Sequence, residues 1–555
     1  MSDFKIIYRN EPDGVRSGAT PYQSDIQNFC NASDILLDNN IAPQVATFED
    51  GYWKLGTKFL LFPDAPESET FGVWSKSKSG ADGRFTAQPV LIVLLAANYS
   101  SVGISFGFDP YGPTWPADID ITWYRGMTVT QTSAGYTVSG TALGTKSFQP
   151  DGYQYSALNS VSSFNGVVIR FNSMSAADRY LKLQSIMFGI VRTFQRDDFS
   201  EIDMTQAADL NSDTAEINTI RFKVRPKDNI AYMFQDREML RTQDGTKLMG
   251  LYYIDAHDTE GDSLYDVHGI DYVGIADLAT KHLGGIYTGD VTADELIADI
   301  LGNIPYILDD ALKAVPMHGY LPIASKRDNL QQVAFALNAM VDTSGAEGVK
   351  IFAMKTGDPT SEFVGAKAYN GGKIATDPLV TEINLTVHAY KLGSDSSTLY
   401  DAVLTGSHKV TFSEPQGSLS VSGGTITESG ANYAVITGTG SEVILTGVAY
   451  VHGTTVWTKS NSNATASDID NPVDAEDMTL VTANNAQGIL DWLYNFYLRT
   501  RTVAGKVVIG DAHPGDRVSI LARDGNVYNG NLYSVKYSIS ATIAADVKIL
   551  LDAEG

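Results

Sequence analysis

The sequence has a single cysteine, no long hydrophobic run and no hydrophobic leader. Cys30 stands alone among 555 residues, so no intrachain disulfide can form, and a zinc site built from several thiolates is excluded. The longest apolar run, residues 90–97, is far shorter than the roughly 20 residues that cross a bilayer. The N-terminal residues also lack the apolar core of a signal peptide. We therefore expect a soluble protein, made in the cytoplasm and not inserted in a membrane.

Basic residues are scarce relative to acidic ones. The chain has 40 Lys and Arg against 65 Asp and Glu, which gives a formal net charge of −25. Nucleic-acid binding through phosphates needs the opposite sign, because Lys and Arg supply most of that affinity. The net charge argues against docking on an anionic membrane through a polybasic patch for the same reason.

Sequence motifs for catalysis and for cofactor binding are also missing. There is no P-loop, no G-x-S-x-G, no H-E-x-x-H and no glycine-rich dinucleotide fingerprint. Asp255, His257, Asp258, His268 and Asp271 can be drawn as a metal site, but their spacing fixes no ligand geometry. A solvated acidic surface is the simpler interpretation. We predict no catalytic residue, no metal and no cofactor, and hence a protein that is not an enzyme.

Acidic residues are concentrated between 255 and 313, where thirteen Asp and Glu stand against two Lys. They alternate with Tyr, Leu, Val and Ile, as expected for strands that bury one face and expose the other. A like-charged surface of this density repels itself and needs a reason. It also repels a passing polyanion.

The rest of the chain reads as short strands separated by turns, with a few helices. We predict a mainly β fold of the α+β class. Residues 21–190 are predicted to form a β-sandwich of the jelly-roll, carbohydrate-binding type, with Trp53, Trp74 and Trp123 in its core. Helices are predicted near 292–301, opened by the capping box of Thr292 and Glu295, and near 326–341.

Two aromatic residues in the predicted sandwich raise the question of sugar binding. Tyr111 and Trp115 lie in a Pro- and Gly-rich loop, where side chains tend to be exposed. Exposed aromatic rings stack on sugar rings in many sandwich modules. Contact with a host cell-surface glycan and ordinary loop packing both stay open for these two residues.

Ten short segments, spread in order over nearly the whole chain, together resemble one protein family. They are ATFEDGYW (46–53), FGVWS (71–75), DGRF (82–85), LKLQSI (181–186), ADILG (298–302), GYLPI (319–323), LQQVAF (330–335), TFSEP (411–415), GTITESGANY (424–433) and HPGDR (513–517). The chain thereby resembles the baseplate hub or tail-associated proteins of phages, prophages and phage-tail-like bacteriocins of Gram-positive bacteria.

The resemblance implies a structural protein of the virion tail, in which a homotrimeric hub joins the tail tube to the spike or tip and to other baseplate proteins. Each chain would supply two barrel-like domains. These would be residues 191–380 for the first, and 381–400 with 466–555 for the second. Residues 1–20 would form an N-terminal strand or arm of the hub. The sandwich at 21–190 and a small Gly/Ser/Thr-rich β-sandwich at 401–465 would be insertions.

The resemblance also gives the acidic face a possible purpose. If it lines the central channel, it would let DNA pass without sticking; the residues concerned are Asp255, Asp258, Glu260, Asp262 and Asp266. An outward-facing surface that keeps the protein soluble is equally compatible. Two other functions stay open: a carbohydrate-binding tail adhesin and a tail-associated cell-wall hydrolase.

Overall fold

A computed structural model describes residues 3–12, 14–37, 40–47, 49–50, 52, 60–61, 70–112, 114–133, 135–211, 214–226, 232–260, 264–465, 469–539 and 542–553. Over these ranges the chain is mainly β with five α-helices, which confirms the predicted fold class. Within the same ranges, no helix has the length and apolar content that a bilayer crossing requires.

Among its described residues, the N-terminal third forms strands and one short 3-10 helix, at Ala32–Leu36. The strands are β1 (Phe4–Asn10), β2 (Thr20–Gln23), β3 (Val45–Ala46), β4 (Leu60–Leu61), β5 (Val73–Lys78), β6 (Val90–Phe108), β7 (Pro116–Thr132), β8 (Gly135–Phe148), β9 (Gln154–Met174) and β10 (Tyr180–Met187).

The middle of the chain mixes strands and helices. It contains β11 (Ile190–Gln195), β12 (Phe199–Ala207), β13 (Thr219–Val224), β14 (Met239–Asp244), β15 (Lys247–Glu260), β16 (Leu264–Ile270), α1 (Tyr272–Leu278), β17 (Gly285–Thr292), α2 (Ala293–Leu301), β18 (Tyr306–Leu308), α3 (Asp310–Lys313), β19 (Pro316–Leu321), α4 (Lys326–Ala336), β20 (Ala339–Asp342), β21 (Val349–Ala353), β22 (Ser361–Phe363) and β23 (Ala368–Thr376).

The C-terminal part begins with two very long strands. It contains β24 (Glu382–Thr411), β25 (Gln416–Ser422), β26 (Gly424–Ser429), β27 (Tyr433–Ser460), β28 (Pro472–Ala475), α5 (Ala486–Tyr497), β29 (Arg501–Val508), β30 (Arg517–Leu521), β31 (Val527–Ile539) and β32 (Ile543–Leu551).

A 13-stranded sheet forms the centre of the molecule. Its order is β11-β1-β14-β15-β16-β13-β12-β31-β32-β29-β23, and β30 pairs with both β31 and β22. We call β1 and β11–β16 the first β-unit, and β22, β23 and β29–β32 the second β-unit. Antiparallel pairing of β12 with β31, from Met204–Tyr537 to Ala207–Ser534, joins the two units. One hydrophobic core includes residues of both, among them Phe222 and Val535.

The N-terminal module consists of a separate seven-stranded sheet, β5-β10-β6-β9-β7-β8, with β2 paired to β6. Trp74 and Trp123 are each 2% exposed, which confirms that both are core residues. Trp53 lies outside the described residues. The module leaves the first β-unit after β1 and returns at β11, and these two strands pair directly, Asn10 with Ile190.

Helices α1 to α4 and β17 to β21 form an α/β layer with its own core. The predicted capping box is confirmed: the Thr292 hydroxyl accepts from the Glu295 N–H at 3.3 Å, and the Thr292 N–H donates to Glu295 Oε2 at 2.8 Å. The helix predicted to reach residue 341 ends at Ala336 instead. Asn338 has a φ of 52°, a left-handed conformation that ends helices, and β20 follows.

A five-stranded sheet is built on β24 and β27, which pair from Glu382–Ser460 to Thr411–Tyr433. The predicted boundary between residues 400 and 401 falls inside β24, because this cross-strand pairing continues through it. The boundary predicted at 380 also shifts. Strands β22 and β23 pair with β30 and β29 of the second β-unit, so the second unit begins between residues 353 and 361.

Candidate functional site: a charged sheet face

Three of the predicted channel residues, Asp255, Asp258 and Asp266, lie on the face of the first β-unit opposite its core. Antiparallel pairing aligns Asp258, Asp266, Lys223 and Glu201 in one row across β15, β16, β13 and β12. Directly opposite residues in a sheet point to the same side. The strand neighbours of Asp266 and Lys223, such as Phe222 and Val267, are buried in the core. The face is therefore charged and faces solvent.

Basic residues stand between the acids of this face. The Arg221 guanidinium donates to both oxygens of Asp266, with Nε–Oδ1 at 3.0 Å and Nη2–Oδ2 at 2.7 Å. Lys223 Nζ lies 3.8 Å from Asp266 Oδ2. The hydrogen bonds from Arg221 lower the pKa of Asp266, because they stabilise the ionised carboxylate. Asp266 is thus ionised, and its negative charge is balanced by Arg221 and Lys223.

The other predicted channel residues differ in their surroundings. Asp255 Oδ1 lies 2.5 Å from His268 Nδ1, on the neighbouring strand. Asp258 is exposed and stands opposite Asp266 in the register. Glu260 is the last residue of β15, and its side chain is not among those described; Asp262 lies outside the described residues. Of the five, the structure brings Asp255, Asp258 and Asp266 onto one face.

One of the thirteen acids is not on the surface at all. Asp271 is fully buried at the N-terminus of α1, where Oδ1 accepts from the Gly274 N–H at 3.0 Å and Oδ2 accepts from the Thr343 hydroxyl at 2.6 Å. Burial raises the pKa of Asp271 to about 6. The acidic surface is therefore smaller than the sequence indicates.

Sequence reasoning missed the basic half of this pattern. In β13 the alternation Ile220, Arg221, Phe222, Lys223, Val224 already places both cations on the side opposite the core. What the sequence does not reveal is that β13 lies between β16 and β12, which brings those cations beside the acids. Exposed Glu201 and Asp203, outside the acidic segment, belong to the same face.

Of the two aromatic residues considered for sugar binding, Tyr111 is exposed to solvent and Trp115 packs against the core of the N-terminal module. Tyr111 is 44% exposed in the loop between β6 and β7, and its N–H donates to Asp109 Oδ1 at 2.9 Å. Trp115 is half-buried and packs against the module core. Its N–H donates to the Ser175 hydroxyl at 3.0 Å, and its carbonyl accepts from the Ser175 N–H at 2.8 Å. Tyr111 therefore presents the more accessible ring.

Features of a hydrolase or a metal site do not emerge from the described part of the chain. No group of three or more His, Cys, Asp or Glu side chains within the described ranges is placed to hold a metal ion. Burial raises the pKa of the Cys30 thiol to about 12. Since the thiolate is the nucleophilic form, this cysteine is poorly suited to covalent catalysis.

Comparisons with known proteins give distant structural similarity only. No protein-family model matches the sequence, and neither does any curated protein sequence. The 43 kDa tail protein of prophage MuSo2 from Shewanella oneidensis matches at 10% identity and a TM-score of 0.40, over 64% of this chain and 94% of that one. The tail protein of Neisseria meningitidis MC58 matches at 11% identity and 0.40, over 64% and 93%. Prophage tail protein gp18 from Listeria monocytogenes EGD-e matches at 10% and 0.36, over 64% and 90%.

Proposed function

We propose that this chain is a structural protein of a phage tail or tail-like particle, and that it forms a homotrimeric hub between the tail tube and the spike or tip. The observation that carries the proposal is the pairing of β12 with β31, which joins two β-units into one sheet within one chain. Three chains then supply six β-units, which suits a ring that meets a sixfold tube. The ordered family resemblance along the sequence supports the same role.

The insertions fit this role as peripheral modules. The N-terminal module starts and ends at paired strands of the first β-unit, and the β24–β27 sheet is a long extension before α5. Neither insertion interrupts the 13-stranded sheet. The hub would contact the tail tube, the spike and other baseplate proteins, and DNA would pass its channel without adhering.

The proposal predicts three copies of this chain in a ring below the tail tube. Native mass spectrometry of hubs released from particles should give a mass three times the 60.0 kDa of one chain. Electron microscopy of particles carrying a tagged chain should place the tag at the distal end of the tube. Normal tails assembled after deletion of this chain, or a monomer in the assembled particle, would contradict the proposal.

A second candidate function is an adhesin role for the N-terminal module, favoured by the exposure of Tyr111. Replacing Tyr111 with Ala should reduce retention of the full chain on a host-envelope glycan array, because the stacking ring is lost. Tyr153, 48% exposed in the same module, provides a matched control. Equal retention of the wild type and both variants would remove Tyr111 from the proposed site. No arrangement of catalytic or metal-binding side chains among the described residues supports a cell-wall hydrolase.

A further inference from the structure

The charged face of the sheet continues from the first β-unit onto the second β-unit, where its net charge changes from negative to positive. From Thr205 of β12 the register runs to Lys536 of β31, Asp546 of β32 and Lys506 of β29. The adjacent row contains Lys548 of β32, Ala504 of β29 and Lys373 of β23. All these residues point to the same side of the sheet as the acids of the first unit. We call this group of lysines the lysine half.

The lysine half carries an excess of positive charge. Four exposed lysines stand against one carboxylate, that of Asp546, which leaves an excess of three; the lysines are Lys373, Lys506, Lys536 and Lys548. None of the four forms an ion pair with a residue that the structure describes. By contrast, Lys223 and Arg221 of the first unit both pair with Asp266. In a chain of net charge −25, four such lysines on four strands form an exceptional patch.

On β12, β13, β15 and β16 the described side chains of this face carry the opposite excess, and we call them the acidic half; Arg241 of β14 and Lys5 and Arg9 of β1 stand on the same face but outside this half. Five carboxylates stand against two cations, which again leaves an excess of three; they are those of Glu201, Asp203, Asp255, Asp258 and Asp266 against Arg221 and Lys223. His268 stands beside these acids on β16. The two halves of one sheet face are thus matched in magnitude and opposite in sign.

We propose that the acidic half of one copy of this chain binds the lysine half of the next copy, an inference that rests on the proposed hub. Like charges on adjacent strands repel within each half, and contact with the opposite half relieves both repulsions. In a ring, each copy uses each half once, as a heterologous interface requires. Complementary charge also directs the approach and the register of two copies. Duplex DNA is a poorer occupant, because the adjoining acids repel it.

Reversing charges tests the interface. The lysine variant Lys506→Glu, Lys536→Glu, Lys548→Glu and the acid variant Glu201→Lys, Asp203→Lys, Asp258→Lys should each self-associate roughly tenfold or more weakly than the wild type, since attractions become repulsions. Mixed together, the two variants should form a two-chain complex that neither forms alone. Sedimentation velocity of the full chain measures both effects. Wild-type association should weaken with added salt, since salt screens charges beyond roughly 10 Å at 0.1 M.

Exposed lysines on the insertions provide the matched control. Lys76→Glu, Lys146→Glu, Lys391→Glu changes the net charge by the same amount as the lysine variant and should leave association unchanged. Unchanged thermal unfolding of each variant establishes that it folds. The inference is overturned if the lysine variant associates like the wild type, if the wild type stays monomeric at every concentration and salt, or if the wild type binds short duplex DNA through these lysines. A lysine variant that still enters particles as a normal ring overturns the interface while leaving the proposed hub intact.

Discussion

Replacing Lys182 with Met is expected to destabilise the N-terminal module by about 3–5 kcal/mol, because it leaves buried carboxylates without their counter-charge. Lys182 Nζ lies 2.5 Å from Glu49 Oε2 and 3.7 Å from Asp109 Oδ2, and its side chain is 3% exposed. It also lies 3.2 Å from the centroid of the Tyr52 ring, in cation–π contact. Burial lowers the pKa of Lys182 although both carboxylates favour its charged form.

A second substitution separates the lost charge from lost packing. In the double variant Lys182→Met, Glu49→Gln, one of the two carboxylates no longer needs a partner, so part of the stability should return. Lys76→Met, at an exposed position of neighbouring β5, should change stability by less than about 0.5 kcal/mol. Urea unfolding followed by tryptophan fluorescence measures all three, with Trp74 4.8 Å from the Lys182 ammonium as a reporter. If Lys182→Met is as stable as Lys76→Met, the argument from the buried ion pair is wrong.

Replacing Glu238 with Gln is expected to flatten the pH dependence of stability between about pH 5 and 8. Glu238 is fully buried in the first β-unit and accepts hydrogen bonds from Tyr8 Oη at 2.5 Å and Asn10 Nδ2 at 2.6 Å. Burial raises its pKa to about 7 from an ordinary value of 4.5, although these hydrogen bonds oppose the shift. The folded protein therefore holds this proton more tightly than the unfolded chain does.

The direction of the effect follows from that difference. The stabilisation by the proton is complete below about pH 4.5 and is lost as the pH rises through about 7, a change of about 3 kcal/mol. Gln cannot titrate, so the wild-type advantage over Glu238→Gln should be largest near pH 5 and smallest near pH 8. Buried Asp271 titrates in the same direction in both proteins, so the difference between their denaturation curves isolates Glu238. The control variant Glu362→Gln, at an exposed position, should show the same pH dependence of stability as the wild type. If Glu238→Gln also shows the wild-type pH dependence, the prediction is wrong.

Local signals in the sequence are sufficient to predict some secondary-structure elements and insufficient to predict others. Helix α2 follows from the capping box at Thr292 and from helical spacing, both of which lie within a few residues. Helix α1 was missed because alternation assigned Asp271 to a solvent-facing strand; its role as a buried cap depends on Thr343, far along the chain. The division of the sheet face into an acidic half and a lysine half depends on strand order and register, which the sequence does not reveal. Lys536 and Arg221 stand on one face only because β31 pairs with β12, more than three hundred residues away.

The direct pairing of β1 with β11 has a consequence for the order in which the chain folds. During synthesis, Asn10 cannot meet Ile190 until the N-terminal module between them has emerged, and closing a flexible loop of that length costs about 4–5 kcal/mol. A module that folds first brings its own ends together and removes most of this cost. Residues 534–537 of β31, which join the second β-unit to the first, become available only after the whole first unit has left the ribosome. The strands of the central sheet thus become available for pairing in the order in which they are synthesised.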